Sequence, residues 1–278
     1  MRSITTAGVF IFIRSSDDYL IYAGLLSFQW IFAGLVGMWF AFSRLKIRII
    51  IPNANVVFSV LSEGSALFIS NMAQSLYYSG NSFILGMLTN YSSVGYYSAA
   101  EKITLSLLGL FRPVAYAVYP RFSRLALSSK DTVLLWGKRL VYVMGGFGLV
   151  ASLTVFIGAP MIVKIVLGSG FEPSVTVLQI LSVLPFIMAI SDVLSVQIML
   201  PFNKDNFYTL IRVLTASLHV VFALQLVPRL HEVGMAFVLV ISQLVILVST
   251  FLCLWYWRLT PFHHKIDETI SQSPVKSC

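Results

Sequence analysis

Ionisable residues are rare inside the apolar stretches of this chain, and the few that occur there are the first candidates for chemistry. Glu101, Lys102 and Arg112 share one such stretch, Val94–Tyr119. Each would cost roughly 2.5–3.5 kcal/mol at the centre of a bilayer, a cost usually tolerated only for a pathway or a partner. On one continuous helix Glu101 and Arg112 share a face with Tyr97, Leu108 and Tyr116 but stand about 16 Å apart along it, too far to pair. Glu101, with its short stem, is read as a proton-coupling or substrate-gating group, and Lys102 as a cation snorkelling to its nearer interface. Arg112 offers a planar fork that is always charged, suited to a phosphate or carboxylate headgroup or to anchoring the helix. Asp192 lies in Ser174–Leu200, flanked by Ser191 and Ser195, and is either a hydrogen-bonded carboxyl or a proton carrier. Arg212, Thr215 and His219 follow one helical face, with His219 read as an interhelical hydrogen-bonding group.

A second polar set carries no charge. Asn71, Gln74, Ser75, Tyr78, Asn81 and Ser82 recur at three- and four-residue spacing through Gly64–Ala100, as they would along one side of a helix. Two readings fit: the wall of a polar path, or hydrogen-bonding contacts between packed helices. Gly34 and Gly37, and the cluster Gly145-Gly146-Phe147-Gly148, are read as sites of close helix packing, because no strand precedes the cluster to make a nucleotide loop. No nucleophile elbow, clustered His or Cys ligand set, or carboxylate pair in a loop is present, so the chain is not expected to be an enzyme or to carry a cofactor or metal. His263 and His264 stand alone in a polar tail, and Cys253 and Cys278 form no disulfide framework.

The elements that must position these groups are membrane helices. Of 278 residues, 58% are hydrophobic and 11% charged, and the mean hydropathy is +0.86, which belongs to a membrane class. Stretches long enough to span are Tyr19–Phe42, Gly64–Thr89, Val94–Tyr119, Leu140–Gly158, Ser174–Leu200, Asn206–Val227 and Val233–Trp257. The predicted fold is an all-α polytopic transmembrane bundle of about seven full spans, with Ile4–Ile13 as a partial one at the N-terminus. Domains are expected over residues 1–63 (end of a first helical bundle and linker), 64–257 (second bundle) and 258–278 (polar tail). The net charge of +8 sits in short connections rather than in a soluble domain, which argues against a nucleic-acid partner. Lys and Arg concentrate in alternate loops, and this bias places the C-terminus, Ser43–Glu63 and Pro120–Arg139 in the cytoplasm.

Asn81-Ser-Phe-Ile-Leu-Gly-Met, followed by Val94-Gly-Tyr-Tyr-Ser-Ala-Ala-Glu-Lys-Ile103, resembles the Wzx-type polysaccharide repeat-unit (O-antigen) flippases of the multidrug/oligosaccharidyl-lipid/polysaccharide exporter superfamily. Tyr119-Pro-Arg-Phe-Ser123 and Leu167-Gly-Ser-Gly-Phe-Glu-Pro173, leading into Leu178-Gln-Ile-Leu181, are similar to that family in the same order. The resemblance implies an inner-membrane transporter that moves undecaprenyl-diphosphate-linked oligosaccharide by alternating access between two bundles. Its partners would be the lipid-linked glycan, membrane lipids and other polysaccharide-assembly proteins. This chain would correspond to the end of the first bundle and the whole second one, an N-terminally truncated member. Under that resemblance Arg112 and Arg212 are candidates for diphosphate or acidic-sugar contact, Asn71, Gln74 and Asn81 for the wall, and Glu101 and Asp192 for proton coupling. The nearest alternatives are a cation-coupled drug exporter of the same superfamily, a membrane-embedded glycan polymerase or acyltransferase, and an inactive fragment.

Overall fold

Apolar composition and the need to close every backbone hydrogen bond inside lipid leave helices as the economical solution for a chain of this kind. A computed structural model describes residues 19–44, 53–78 and 80–262, and among them every regular element is helical. The chain divides into two compact units, Met1–Val60 and Leu61–Cys278. In the first, α1 (Tyr19–Ser43) is apolar on all sides, and an added Cβ at Gly34 or Gly37 would meet nothing within 4 Å. The close packing expected of these two glycines is therefore not made among the described residues.

The second unit takes up α2 (Ala54–Tyr78) from Leu61 onward and continues through α3 (Gly80–Leu88), α4 (Tyr91–Leu108), α5 (Arg112–Ser128) and α6 (Lys130–Val166). After them come α7 (Pro173–Leu181), α8 (Leu184–Asp192), a π-helical segment (Val193–Met199), a short 3-10 turn (Leu200–Phe202) and α9 (Asp205–Tyr256). Local signals set the boundaries. Asn90 caps α4 by accepting from the Ser93 amide at 2.9 Å, and Ser129 caps α6 by accepting from Thr132. Proline opens α5, α7 and α8 in the first turn, where its missing N–H costs nothing. Gly168 and Gly170, at φ 83° and 95°, make the turn from α6 to α7, a conformation that only glycine adopts without strain.

Two spans read as continuous are interrupted. The stretch from Gly64 to Thr89 is divided between α2 and α3, and Val94–Tyr119 breaks after Leu108, so that Arg112 opens a new helix. Conversely, α6 runs beyond both ends of the expected Leu140–Gly158 and carries Pro160 inside it, leaving only Leu167–Glu172 as a connection to α7. A single helix of 52 residues would be about 78 Å long, more than twice the thickness of a membrane core. Instead α9 turns back on itself at His231 (φ 49°, ψ −128°). Its arms lie antiparallel: His219 bonds Ser242 at 2.8 Å, and an added Cβ at Gly234 would stand 2.7 Å from the Leu226 carbonyl. The predicted spans Asn206–Val227 and Val233–Trp257 are these two arms.

Packing in this unit depends on small residues and cross-helix caps. An added Cβ at Gly148 would lie 2.7 Å from the Pro185 carbonyl oxygen and 3.0 Å from Phe186 Cα, whereas at Gly146 it would meet nothing. Within the glycine cluster, then, Gly148 admits α8 against α6, and Gly145 meets Ile190 at 3.3 Å. One turn from Gly148, Ser152 Oγ accepts the Phe186 amide at 3.1 Å, satisfying a first-turn N–H of α8 from a neighbouring helix. Ser174 Oγ donates to the Tyr96 carbonyl at 2.9 Å, tying α7 to α4. Outward faces carry exposed Phe147, Val150, Ile157 and Ile165, the surface that a lipid-facing helix presents.

Candidate functional site

The polar residues of the second unit gather in two places. One is a cavity of about 590 Å³ lined by α2, α4, α5, α6, α8, the π-helical segment and the first arm of α9. Its lining mixes two chemistries. Asn71, Gln74 and Ser75 from α2, Asp192 and Gln197 from around the π-helical segment, and Tyr208 and Arg212 from α9 make the polar part. Leu105, Leu108, Phe111, Val114, Met144 and Met188 make an apolar part.

Arg212 is 6% exposed and is held on two sides. Its Nη1 donates to Gln74 Oε1 at 3.1 Å, and its Cζ stacks 4.4 Å above the Tyr208 ring. Tyr208 lies within electrostatic reach of both Arg212 and Asp192. A guanidinium fixed this way keeps its planar fork oriented with little entropy left to lose, the arrangement suited to binding a carboxylate or phosphate. Gln197 extends from the π-helical segment to α5, where its Nε2 donates to the Ala115 carbonyl at 2.9 Å.

The other place is a closed cluster with no share in the cavity wall. Asn81 (0% exposed) donates from Nδ2 to Tyr97 Oη at 2.8 Å and to Glu101 Oε1 at 3.2 Å, and Tyr97 Oη donates to the same carboxyl oxygen at 2.9 Å. Asn81 Oδ1 lies 2.8 Å from His219 Nε2, which must carry the hydrogen because the amide oxygen can only accept. On its other side His219 Nδ1 is 2.8 Å from Ser242 Oγ, which also lies 2.8 Å from the Val238 carbonyl. A neutral imidazole takes the Ser242 proton at Nδ1; an imidazolium donates there and leaves Ser242 to bond Val238. Each protonation state of His219 thus has a complete hydrogen-bonding scheme, and gain or loss of a proton at Nδ1 is accompanied by a turn of the Ser242 hydroxyl. The cluster joins α3, α4 and both arms of α9.

Sequence spacing therefore grouped residues that the fold separates. Asn71 and Gln74 lie in the cavity lining, while Asn81, read as a third wall group, is buried in the closed cluster. Ser82 bonds Ser98 at 2.9 Å between α3 and α4. Asp192 and Arg212 both reach the cavity. Glu101 does not; it is 7% exposed and packed in the cluster. Arg112 opens α5, and its side chain, like those of Tyr78 and Tyr116, lies outside those described, as do Ile4–Ile13, His263, His264 and Cys278. Gln197, Tyr208 and Ser242 were missed, and Tyr97 was read only as sharing a face with Glu101. The one signal for Gln197 was a lone amide in the otherwise apolar run Val196–Leu200. No group of three or more His, Cys, Asp or Glu able to hold a metal ion occurs among the described residues.

Residues 2–126 match the family model described as polysaccharide biosynthesis protein. The chain is 30% identical over 234 residues to a protein of Escherichia coli (strain K12) named "Putative O-antigen transporter", covering 84% of this chain and 56% of that one. The chain is thus similar to polysaccharide biosynthesis proteins. A second relative with the same printed name, from Shigella dysenteriae, is 26% identical over 242 residues, 86% of this chain and 60% of its own length. The chain thus spans little more than half the length of these two relatives. No solved structure matches. The resemblance read in Asn81–Met87 and Val94–Ile103 is borne out by these findings, as is the helical membrane bundle.

Proposed function

We propose that this chain takes part in transporting a lipid-linked oligosaccharide across the bacterial inner membrane for O-antigen or related polysaccharide assembly. The observation that carries the reading is a cavity whose lining holds both polar and apolar groups. Its polar groups, with Arg212 fixed by Gln74 and Tyr208, suit an anionic, hydroxylated headgroup, and its Leu, Phe and Met side chains suit an apolar chain. A lipid diphosphate sugar has both halves in one molecule. Arg212 contacts the diphosphate or an acidic sugar, with Asn71 and Gln74 beside it, and Arg112 is a further candidate for the same anion. Glu101 is the proton-coupling candidate, because the cluster in which it sits accommodates two protonation states of His219; Asp192 is the second candidate, within the cavity itself. Alternating access between two bundles supplies the movement, with the cytoplasmic C-terminus that the loop charges favour.

The test is genetic. Deleting the gene should abolish or shorten surface polysaccharide, the wild-type open reading frame should restore it, and Arg212→Ala and Arg112→Ala should restore it poorly at equal membrane abundance. Unchanged polysaccharide on deletion would sink the proposal. A change in susceptibility to cationic drugs instead would move the assignment to a cation-coupled exporter, for which Asp192 in the wall would be the binding carboxylate.

A further inference from the structure

Gln197 is 1% exposed, stands in the cavity wall, and leaves its Oε1 buried without a hydrogen-bond partner. Its orientation is not arbitrary. The carbonyl of Ala115 can only accept, so the amide nitrogen must be the atom 2.9 Å from it. The amide oxygen is thereby held away from α5 with its lone pairs unspent. Burying such an acceptor without a partner costs free energy, and native proteins keep few of them.

The backbone beneath Gln197 is unusual in the same place. Val193–Met199 is π-helical, and the Leu200 amide bonds the Ser195 carbonyl five residues back. In an α-helix, side chains five residues apart point roughly 140° away from one another. The wider π turn brings such a pair toward one side, and here Asp192 and Gln197, five residues apart, both line the cavity. π-helical turns are rare, less favourable than α-helix, and concentrated at functional sites. Here the turn and the unspent acceptor coincide on one wall.

What that wall can bind follows from its atoms. A carboxylate and an amide oxygen both accept, so the complementary ligand must donate, through hydroxyl, amide N–H or ammonium groups, and a glycan head supplies the first two. Phosphate oxygens are acceptors and would be repelled there, whereas they suit the guanidinium of Arg212. We propose that Asp192 and Gln197, brought together by the π-helical turn, form a subsite for sugar hydroxyl or acetamido N–H groups, distinct from the anion contact at Arg212. This rests on the reading that the cavity holds a glycosylated lipid diphosphate, and it names which wall takes the sugar.

The full-length chain, purified in lipid nanodiscs, would be examined by saturation-transfer NMR with N,N′-diacetylchitobiose (chitobiose below) and, separately, by calorimetry with inorganic pyrophosphate. Wild-type protein should bind chitobiose saturably and lose it when the disaccharide's hydroxyl and amide hydrogens are replaced by methyl groups. Gln197→Met, which keeps the length and volume of the side chain, should weaken chitobiose binding about five- to tenfold, the loss of one hydrogen bond, and leave pyrophosphate unchanged. Arg212→Ala should do the reverse. Undiminished chitobiose binding by Gln197→Met, equal binding of the methylated sugar, or a parallel loss of both ligands would overturn the subsite. If Gln197→Met does not fold, the comparison of methylated and free sugar on wild-type protein still decides. Should pyrophosphate bind and chitobiose not, the subsite falls while the cavity reading stands; if neither binds, both fall.

Discussion

Replacing Asn81 by Leu removes three buried hydrogen bonds at once, to Tyr97, to Glu101 and from His219. Interhelical hydrogen bonds in membrane proteins are worth about 0.6–1.7 kcal/mol each, so Asn81→Leu should cost about 2–5 kcal/mol. His219→Leu removes two bonds, to Asn81 and to Ser242, and should cost about 1–3 kcal/mol on the same scale. One bond is shared between the two residues. In each single variant the remaining partner is left buried and unpaired, but in the double variant that penalty disappears, so the double should be less destabilised than the sum by about 1–2 kcal/mol. Reversible unfolding in mixed micelles, or steric trapping in bilayers, measures all four corners of the cycle. Costs that add to within about 0.5 kcal/mol would mean that His219 and Asn81 do not touch in the membrane. The proposed coupling role of Glu101 would then lose its route to α9.

Three further outcomes follow from local geometry. Gly148→Ala should destabilise by about 1–3 kcal/mol, because its Cβ meets the backbone of Pro185 and Phe186 and the helices must part, whereas Gly146→Ala should be near neutral in the same unfolding assay. His231→Gly should stabilise by about 1 kcal/mol, since φ 49° with ψ −128° strains any residue bearing a Cβ; a loss of stability would show that the imidazole makes contacts worth more than the strain. In the α6–α7 turn, hydrogen bonds from its own backbone N–H and from the Gly170 amide hold the Glu172 carboxyl below its usual value of 4.5. Its contribution is therefore complete above that value and is lost as the pH falls through the lowered one. Carbon-detected NMR of a labelled Glu172 should show a midpoint below 4.5, and a midpoint at or above it would refute the two bonds.

How much of this was legible in the residues depends on whether the signal was local. Apolar runs announced the helices, and proline and glycine announced several ends, because hydrophobicity, φ preference and a missing N–H act within a few residues. Helix α6 extends beyond the apolar run Leu140–Gly158 at both ends: it begins at Lys130, where Ser129 caps it, and it continues through Pro160, which a long apolar helix tolerates when neighbours compensate. The turn at His231 was legible as the gap between the apolar runs Asn206–Val227 and Val233–Trp257, where Pro228, Arg229, His231 and Glu232 cluster. Partners were illegible. Nothing in the sequence brings His219 to Asn81, 138 residues away, or Gln197 to Ala115, 82 residues away.

The polar stripe shows the same limit more sharply. Spacing correctly placed Asn71, Gln74 and Ser75 on one face, and Arg212 with His219 on another, but a shared face is not a shared environment. Seven residues advance a helix by about 10 Å, enough to pass from one set of neighbours to the next. Arg212 faces the cavity beside Gln74, while His219, two turns further along, faces the closed cluster beside Asn81. The same division separates Gln74 from Asn81 across the junction between α2 and α3. Periodicity reports the direction of a side chain around its own axis; whether that direction ends in a cavity, a partner or lipid is decided by helices remote in sequence. This is why the charged and amide candidates were recognisable in advance, and their assignment to two separate sites was not.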